Sequence, residues 1–200
     1  MNKSFAERVL AIARQRRIVR PRDLEGLGIP REYLLRLMRQ GLLHRAGRGV
    51  YELAEMSPTE HHSLAVVTKE IPHGVICLLS SLRFHELTTQ QPSEVWIGIP
   101  VRGWYPKVST TAHQVVRYSD STFNAGVRVH RIEGVPVRIF EPAKTVADCF
   151  KYRNKIGLDV ALEALRDTLR QRKATVDEIE RYAAICRVSK VIRPYLEASV

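Results

Sequence analysis

Cysteine is scarce in this chain and poorly spaced for chemistry. The 200 residues hold three, Cys77, Cys149 and Cys186, far apart and each among apolar neighbours. An odd number with no Cys-x-x-Cys pair argues against a disulfide framework or a zinc site, and the three read as buried free thiols. Long apolar runs are also missing. No stretch reaches the roughly 20 residues that span a bilayer, and the opening MNKSFAERVLAIARQRR carries charges where a secretory signal needs its apolar stretch. A cytoplasmic protein outside the membrane is therefore expected. Equally absent are a Gly-x-x-x-x-Gly-Lys-Ser/Thr loop, a dinucleotide fingerprint and a Gly-x-Ser-x-Gly elbow around Ser80-Ser81. His61 and His62 are adjacent on an expected helix and so point in different directions, which makes them poor joint metal ligands. His85-Glu86, His113 and His130 fall on separate segments, and Asp120, Glu133 and Glu141 show no nuclease-like spacing. These residues predict no cofactor, no metal and no enzymatic activity.

Positive charge is what the chain has in excess. Lys and Arg number 32 against 21 Asp and Glu, a net charge of +11. The surplus leans toward arginine, whose planar fork suits phosphate and guanine, so a polyanionic partner is favoured. Residues 1–55 hold twelve basic side chains against six acidic ones, whereas 56–130 are almost neutral and 131–200 carry +4. That unevenness suggests two modules.

Within the first module, Phe5, Val9, Ile12 and Ala13 form one stripe of an amphipathic helix over Ser4–Arg17. Pro21 can open a second, short helix that Gly26 and Gly28 end, with Asp23 in its first turn. Pro30 introduces a third, REYLLRLMRQ, stopped at Gly41. LLHRAGRGVYEL then reads as a β-hairpin turning at Ala46-Gly47-Arg48-Gly49. Helix, short helix, helix and hairpin in about fifty residues predict a winged helix-turn-helix, with the third helix in the major groove and the wing on the flanking backbone.

At roughly 100° per residue, Leu34, Leu37, Met38 and Gly41 share the core side of that third helix. Glu32, Arg36, Arg39 and Gln40 point away, with Arg31 and Tyr33 on the flanks. Arg31 and Arg36 are the candidate base readers, since arginine forks onto guanine O6 and N7; Tyr33 suits a phosphate or a thymine methyl. Arg39 is a candidate phosphate contact. Arg45 and Arg48 in the wing, with Arg20 and Arg22 around the start of the second helix, would position the protein rather than specify sequence.

After residue 55 the pattern changes. Ser57-Pro58-Thr59-Glu60 has capping-box spacing and predicts a helix to about Glu70, opening a second domain over 56–200. Val75 to Leu87 reads as a strand entering a helix, EVWIGIP and Gln114–Tyr118 as strands, and VRVHRI with VPVRIF as a hairpin around Glu133-Gly134. Pro142, Leu158 and the Thr175-Val176-Asp177-Glu178 box open helices. The overall class is α+β: a winged helix-turn-helix over 1–55, then a mixed α+β domain ending in helices. Trp96, Trp104 and Tyr105 border a Gly/Pro loop and either cover the sheet or offer a partner surface.

The run IVRPRDLEGLGIPREYLLRLMRQGLLHRAGRGVYEL resembles the N-terminal winged helix of AbiEi-like antitoxins, transcriptional regulators of abortive-infection, type IV toxin-antitoxin systems. ICLLSSLRFHEL, EVWIGIP, VRIFEPAKTVADCF and LDVALEALRDTLRQRK are similar to later segments of that family, so the resemblance extends over nearly the whole chain. It implies repression of the protein's own operon through inverted repeats in double-stranded DNA, and antagonism of a nucleotidyltransferase-like toxin served by the C-terminal domain. Two other classes stay open at this level: a DNA-targeted nuclease or nucleotidyltransferase-like enzyme, and a ligand-sensing repressor without a toxin.

Overall fold

The computed structural model describes residues 4–55, 57, 59–103, 105 and 111–198. Two compact units emerge. The first comprises the described residues up to His73, those of 105–112, and the segment 130–137; the second holds the described parts of 74–104, then 113–129 and 138 onward.

In the first unit, helix α1 (Phe5–Arg16) starts where Ser4 and Glu7 cap each other. The Glu7 amide donates to Ser4 Oγ at 3.2 Å, and the Ser4 amide donates to Glu7 Oε2 at 2.8 Å. Strand β1 (Ile18–Val19) follows, then α2 (Pro21–Glu25), α3 (Glu32–Arg39), β2 (Leu43–Gly47) and β3 (Val50–Leu53). The strands form an antiparallel sheet in the order β1-β3-β2, with Val19 opposite Tyr51 and Leu43 opposite Leu53. Val9 and Ala13 of α1, Leu24 of α2, Leu34 and Leu37 of α3, and Leu43, Tyr51 and Leu53 of the sheet share one core. The expected helix-helix-helix-hairpin order is present, with the third strand β1 added to it.

Helix α4 (His62–Glu70) belongs to this first unit, so a division at residue 55 does not coincide with the compact unit. It also starts later than its sequence suggests. Pro58 lies outside the described residues; the helix has His61 at its N-cap with no side-chain cap, and the Thr59 amide and hydroxyl both donate to Glu133 Oε1, at 3.1 and 2.8 Å.

The second unit is built on the larger part of a five-stranded mixed sheet in the order β6-β5-β4-β8-β7, of which residues 130–137 fall in the first unit. Its strands are β4 (Val75–Ile76), β5 (Val95–Pro100), β6 (His113–Tyr118), β7 (Val127–Ile132) and β8 (Val135–Phe140). β4 runs antiparallel to β5 and parallel to β8, and β5 runs parallel to β6. Helices α5 (Leu78–Phe84), α6 (Asp120–Phe123), α7 (Pro142–Lys151), α8 (Arg153–Ile156), α9 (Leu158–Arg170), α10 (Val176–Cys186) and α11 (Ser189–Glu197) complete it. Every residue of α7 from Ala143 to Phe150 is buried, including Lys144 and Asp148. The described residues therefore form a mixed α and β protein with two sheets. Among the described residues, no helix is long and apolar enough to cross a membrane.

Candidate nucleic-acid interface

Helix α3 separates its two faces sharply. Leu34 and Leu37 are 1% exposed, whereas Arg31, Glu32, Leu35, Arg36, Arg39 and Gln40 are all exposed. The placement follows from helical periodicity: the buried pair faces α1 and the sheet, and the charges are left on the outer strip. Glu32 lies in the first turn and Arg36 and Arg39 in the last, which suits the helix dipole at both ends.

Tyr33 is held differently. It is half-buried, and its ring meets Phe5 of α1 edge-on with centroids 5.4 Å apart, so its aromatic body anchors α3 to α1. Arg8 strengthens the same corner. Its guanidinium lies 5.6 Å from the Phe5 ring centre and donates to the Leu27 carbonyl at 3.1 Å, in the turn between α2 and α3. Only the folded chain shows this support, because Arg8 and Leu27 are distant in sequence.

The expected backbone-positioning arginines divide into two groups. Arg22, Arg45 and Arg48 are exposed. Arg20 is half-buried, and its guanidinium donates to the Lys69 carbonyl in α4. Burial, helped by the neighbouring Arg22, lowers its pKa from the ordinary arginine value. Its amide donates to Asp23 Oδ2 at 2.8 Å, and Lys69 Nζ reaches the same oxygen at 3.3 Å. Arg20 thus clamps the start of α2 to the end of α4, while Arg22 points into solvent.

The hairpin of β2 and β3 turns at Arg48-Gly49, with Gly49 at φ +65°. Its tip is fastened from behind: the Arg48 amide donates to Glu70 Oε1 of α4 at 2.7 Å. Arg45 Nε donates to the Gly47 carbonyl at 3.0 Å across an irregularity in the strand register. Lower in the hairpin, Glu52 accepts from His44 on the facing strand and stands 3.2 Å from His62 Nε2. His62 Nδ1 is 2.9 Å from Glu133 Oε2. Burial pushes the Glu133 carboxyl up, but hydrogen bonds from His62 and Thr59 outweigh it and hold the pKa below the usual carboxylate range. His62, set aside from sequence as a poor metal ligand, is a bridge between two carboxylates.

In the second unit, Ser80, Ser81 and His85 are hydrogen-bonded within the fold. Ser81 Oγ donates to the Phe140 carbonyl at 2.9 Å, Ser80 Oγ accepts the Trp96 amide at 2.9 Å, and a His85 ring nitrogen lies 2.9 Å from the Phe140 carbonyl. Lys144 Nζ and Asp148 Oδ2 form a fully buried ion pair at 2.5 Å, and Cys186 Sγ donates to Asp148 Oδ1 at 3.2 Å. Burial raises the Asp148 pKa against the pull of Lys144 and pushes the Cys186 thiol up to about 12. All three cysteines are buried and unpaired. Among the described residues, no three His, Cys, Asp or Glu side chains are grouped to hold a metal. Trp96 packs partly on the core and lines an open cleft of about 390 Å³ with Leu79, Glu94, Gln114 and Lys155. Trp104 lies outside the described residues, and Tyr105 is exposed.

Comparison with known proteins bears on both units. The whole chain aligns with 81% of the crystal structure of RV2827C protein from Mycobacterium tuberculosis, with a TM-score of 0.63 at 16% identity, which establishes a shared fold and nothing more. No curated protein matches. Residues 7–54, the stretch from α1 through β3 that carries the basic helix and the hairpin, match the family described as transcriptional regulator, AbiEi antitoxin.

Proposed function

We propose that the protein is a cytoplasmic, non-enzymatic DNA-binding repressor of the antitoxin type, whose first unit acts as a winged helix-turn-helix. The observation that carries this reading is the outer strip of α3. Arg31, Glu32, Arg36 and Arg39 are exposed on one eight-residue helix and its cap, while Leu34 and Leu37 on the other side are sealed in the core. A helix so divided fits a major groove, and arginines at its two ends can meet base edges and phosphates. The hairpin with Arg45 and Arg48 exposed and its tip tied to Glu70 is a wing of fixed direction, suited to backbone contacts. Arg22 adds a contact at the second helix, whereas Arg20 contributes by holding that helix in place.

By the family resemblance, the DNA is a pair of inverted repeats ahead of the protein's own operon, and the partner is a nucleotidyltransferase-like toxin. The test is retardation of labelled duplex from the protein's own promoter, in competition with unlabelled random duplex and with divalent metals present or absent. Sequence-selective retardation without strand cleavage is the expected result. Binding no tighter than to random duplex would reject the repressor, and metal-dependent cleavage would establish the enzyme in its place.

A further inference from the structure

One side chain on the outer strip of α3 has no charge to offer. Leu35 is 44% exposed, although the leucines on either side of it in sequence, Leu34 and (two residues on) Leu37, are at 1%. One helical turn before it stands Arg31 and one turn after it Arg39, with Glu32 and Arg36 alongside, all exposed. The other exposed leucines of this unit, Leu27 and Leu42, lie in the turns before and after the helix. Leu35 is therefore a single apolar group set among charges on the strip that the proposed function assigns to the major groove.

We infer that Leu35 is a specificity residue that reads the 5-methyl group of a thymine. The major-groove edge of each base pair offers hydrogen-bond donors and acceptors, and only thymine adds an apolar group. A leucine side chain can satisfy none of the polar atoms. Set against cytosine N4 or guanine O6, it would strip them of water without replacing their hydrogen bonds. Against a thymine methyl it removes apolar surface on both partners from water, worth about three- to tenfold in affinity for a methyl-sized contact. The arginines around it attract any duplex, so Leu35 contributes selectivity rather than attraction. This inference rests on the proposed function, from which its test is separable.

The experiment takes the preferred duplex selected by the full-length protein from a random library, then replaces each thymine singly with deoxyuridine, which removes only the methyl. Wild-type affinity should fall about three- to tenfold at one thymine per half-site. Leu35→Ala should bind the parent duplex weaker by a similar factor and be indifferent to deoxyuridine at that position, with its salt dependence and melting temperature unchanged. If no duplex is preferred over random sequence, it is the proposed function that fails. If a preferred duplex exists but the wild type tolerates deoxyuridine everywhere, or Leu35→Ala keeps the full methyl dependence, the assignment of Leu35 is overturned. It is overturned equally if Leu35→Ala changes the sedimentation of the free protein and leaves its methyl dependence intact, which would place Leu35 in a contact between copies.

Discussion

Glu70 Oε1 accepts the Arg48 amide at 2.7 Å, and the same oxygen lies 2.8 Å from where a β-carbon on residue 47 would stand. The turn of the hairpin and the end of α4 approach so closely that a β-carbon at residue 47 would have to displace the Glu70 carboxylate and crowd Val66. The carboxylate satisfies a backbone donor at the tip while the glycine beside it lets the two elements meet. A hairpin attached in this way presents Arg48 from a fixed base.

Gly47→Ala should accordingly destabilise the protein by about 1–3 kcal/mol, the usual cost of forcing a methyl into a packed contact. Val66 Cγ1, 3.1 Å from the same position, limits the room for relaxation. In a Glu70→Ala background the added cost of Gly47→Ala should shrink by at least ~0.5 kcal/mol, because neighbouring changes that share a contact are not additive. Urea unfolding of the four proteins checks this, and additive losses would contradict the contact.

Arg36 and Arg48 should separate specificity from attraction. Arg36→Ala should cost about 1–3 kcal/mol at the preferred site and less on random duplex, as expected for a lost base contact. Arg48→Ala should weaken both and lower the slope of log affinity against log salt by about one. Titrations at several salt concentrations measure both quantities. Unchanged affinity in both variants at moderate salt would sink the docking of α3 and the wing.

The buried pair in α7 makes a prediction about stability alone. Lys144→Met leaves the Asp148 carboxyl in the core without its cation, beside Cys186 and Tyr118, and should cost about 3–5 kcal/mol. Replacing both residues together, Lys144→Met with Asp148→Leu, should cost less than Lys144→Met alone, because no uncompensated charge remains. Chemical denaturation distinguishes the two variants, and a double variant weaker than the single would show the pair to be net stabilising.

Acid should loosen the first unit through Glu133. Its native pKa lies below the usual carboxylate value, so the stability it contributes is fully present above that usual value, near 4.3. It is lost as pH falls through the lower native one. Glu133→Gln should therefore be less stable than wild type at neutral pH, and the gap should close on acidification below about pH 4. Melting temperatures across pH 2.5–7 would show it; a constant gap would remove Glu133 from the acid response.

The elements easiest to read from sequence were those with a repeating physical signal. α1, α3, α7 and α9 show apolar periodicity or a proline start, Thr175 and Glu178 form the capping box they suggest, and Glu133-Gly134 turns the β7–β8 hairpin with both residues at positive φ. β1 is a different case. Ile18 and Val19 are too few to show a period and become a strand only because β3 supplies their partners Glu52 and Tyr51.

The candidate interface divides in the same way. Residue order alone dictates that α3 has an apolar and a charged side and that arginines gather on helix and hairpin, because helical spacing needs no other information. Which of those side chains are free to meet DNA depends on the folded chain. Arg20 is spent on the Lys69 carbonyl, Tyr33 leans on Phe5, and Leu35 is left outside. Each of these outcomes requires a partner or a void supplied by residues distant in the chain, and periodicity carries no information about them. For the same reason Lys144 and Asp148, spaced four apart like a surface pair, lie in the core: other elements of the second unit close over α7.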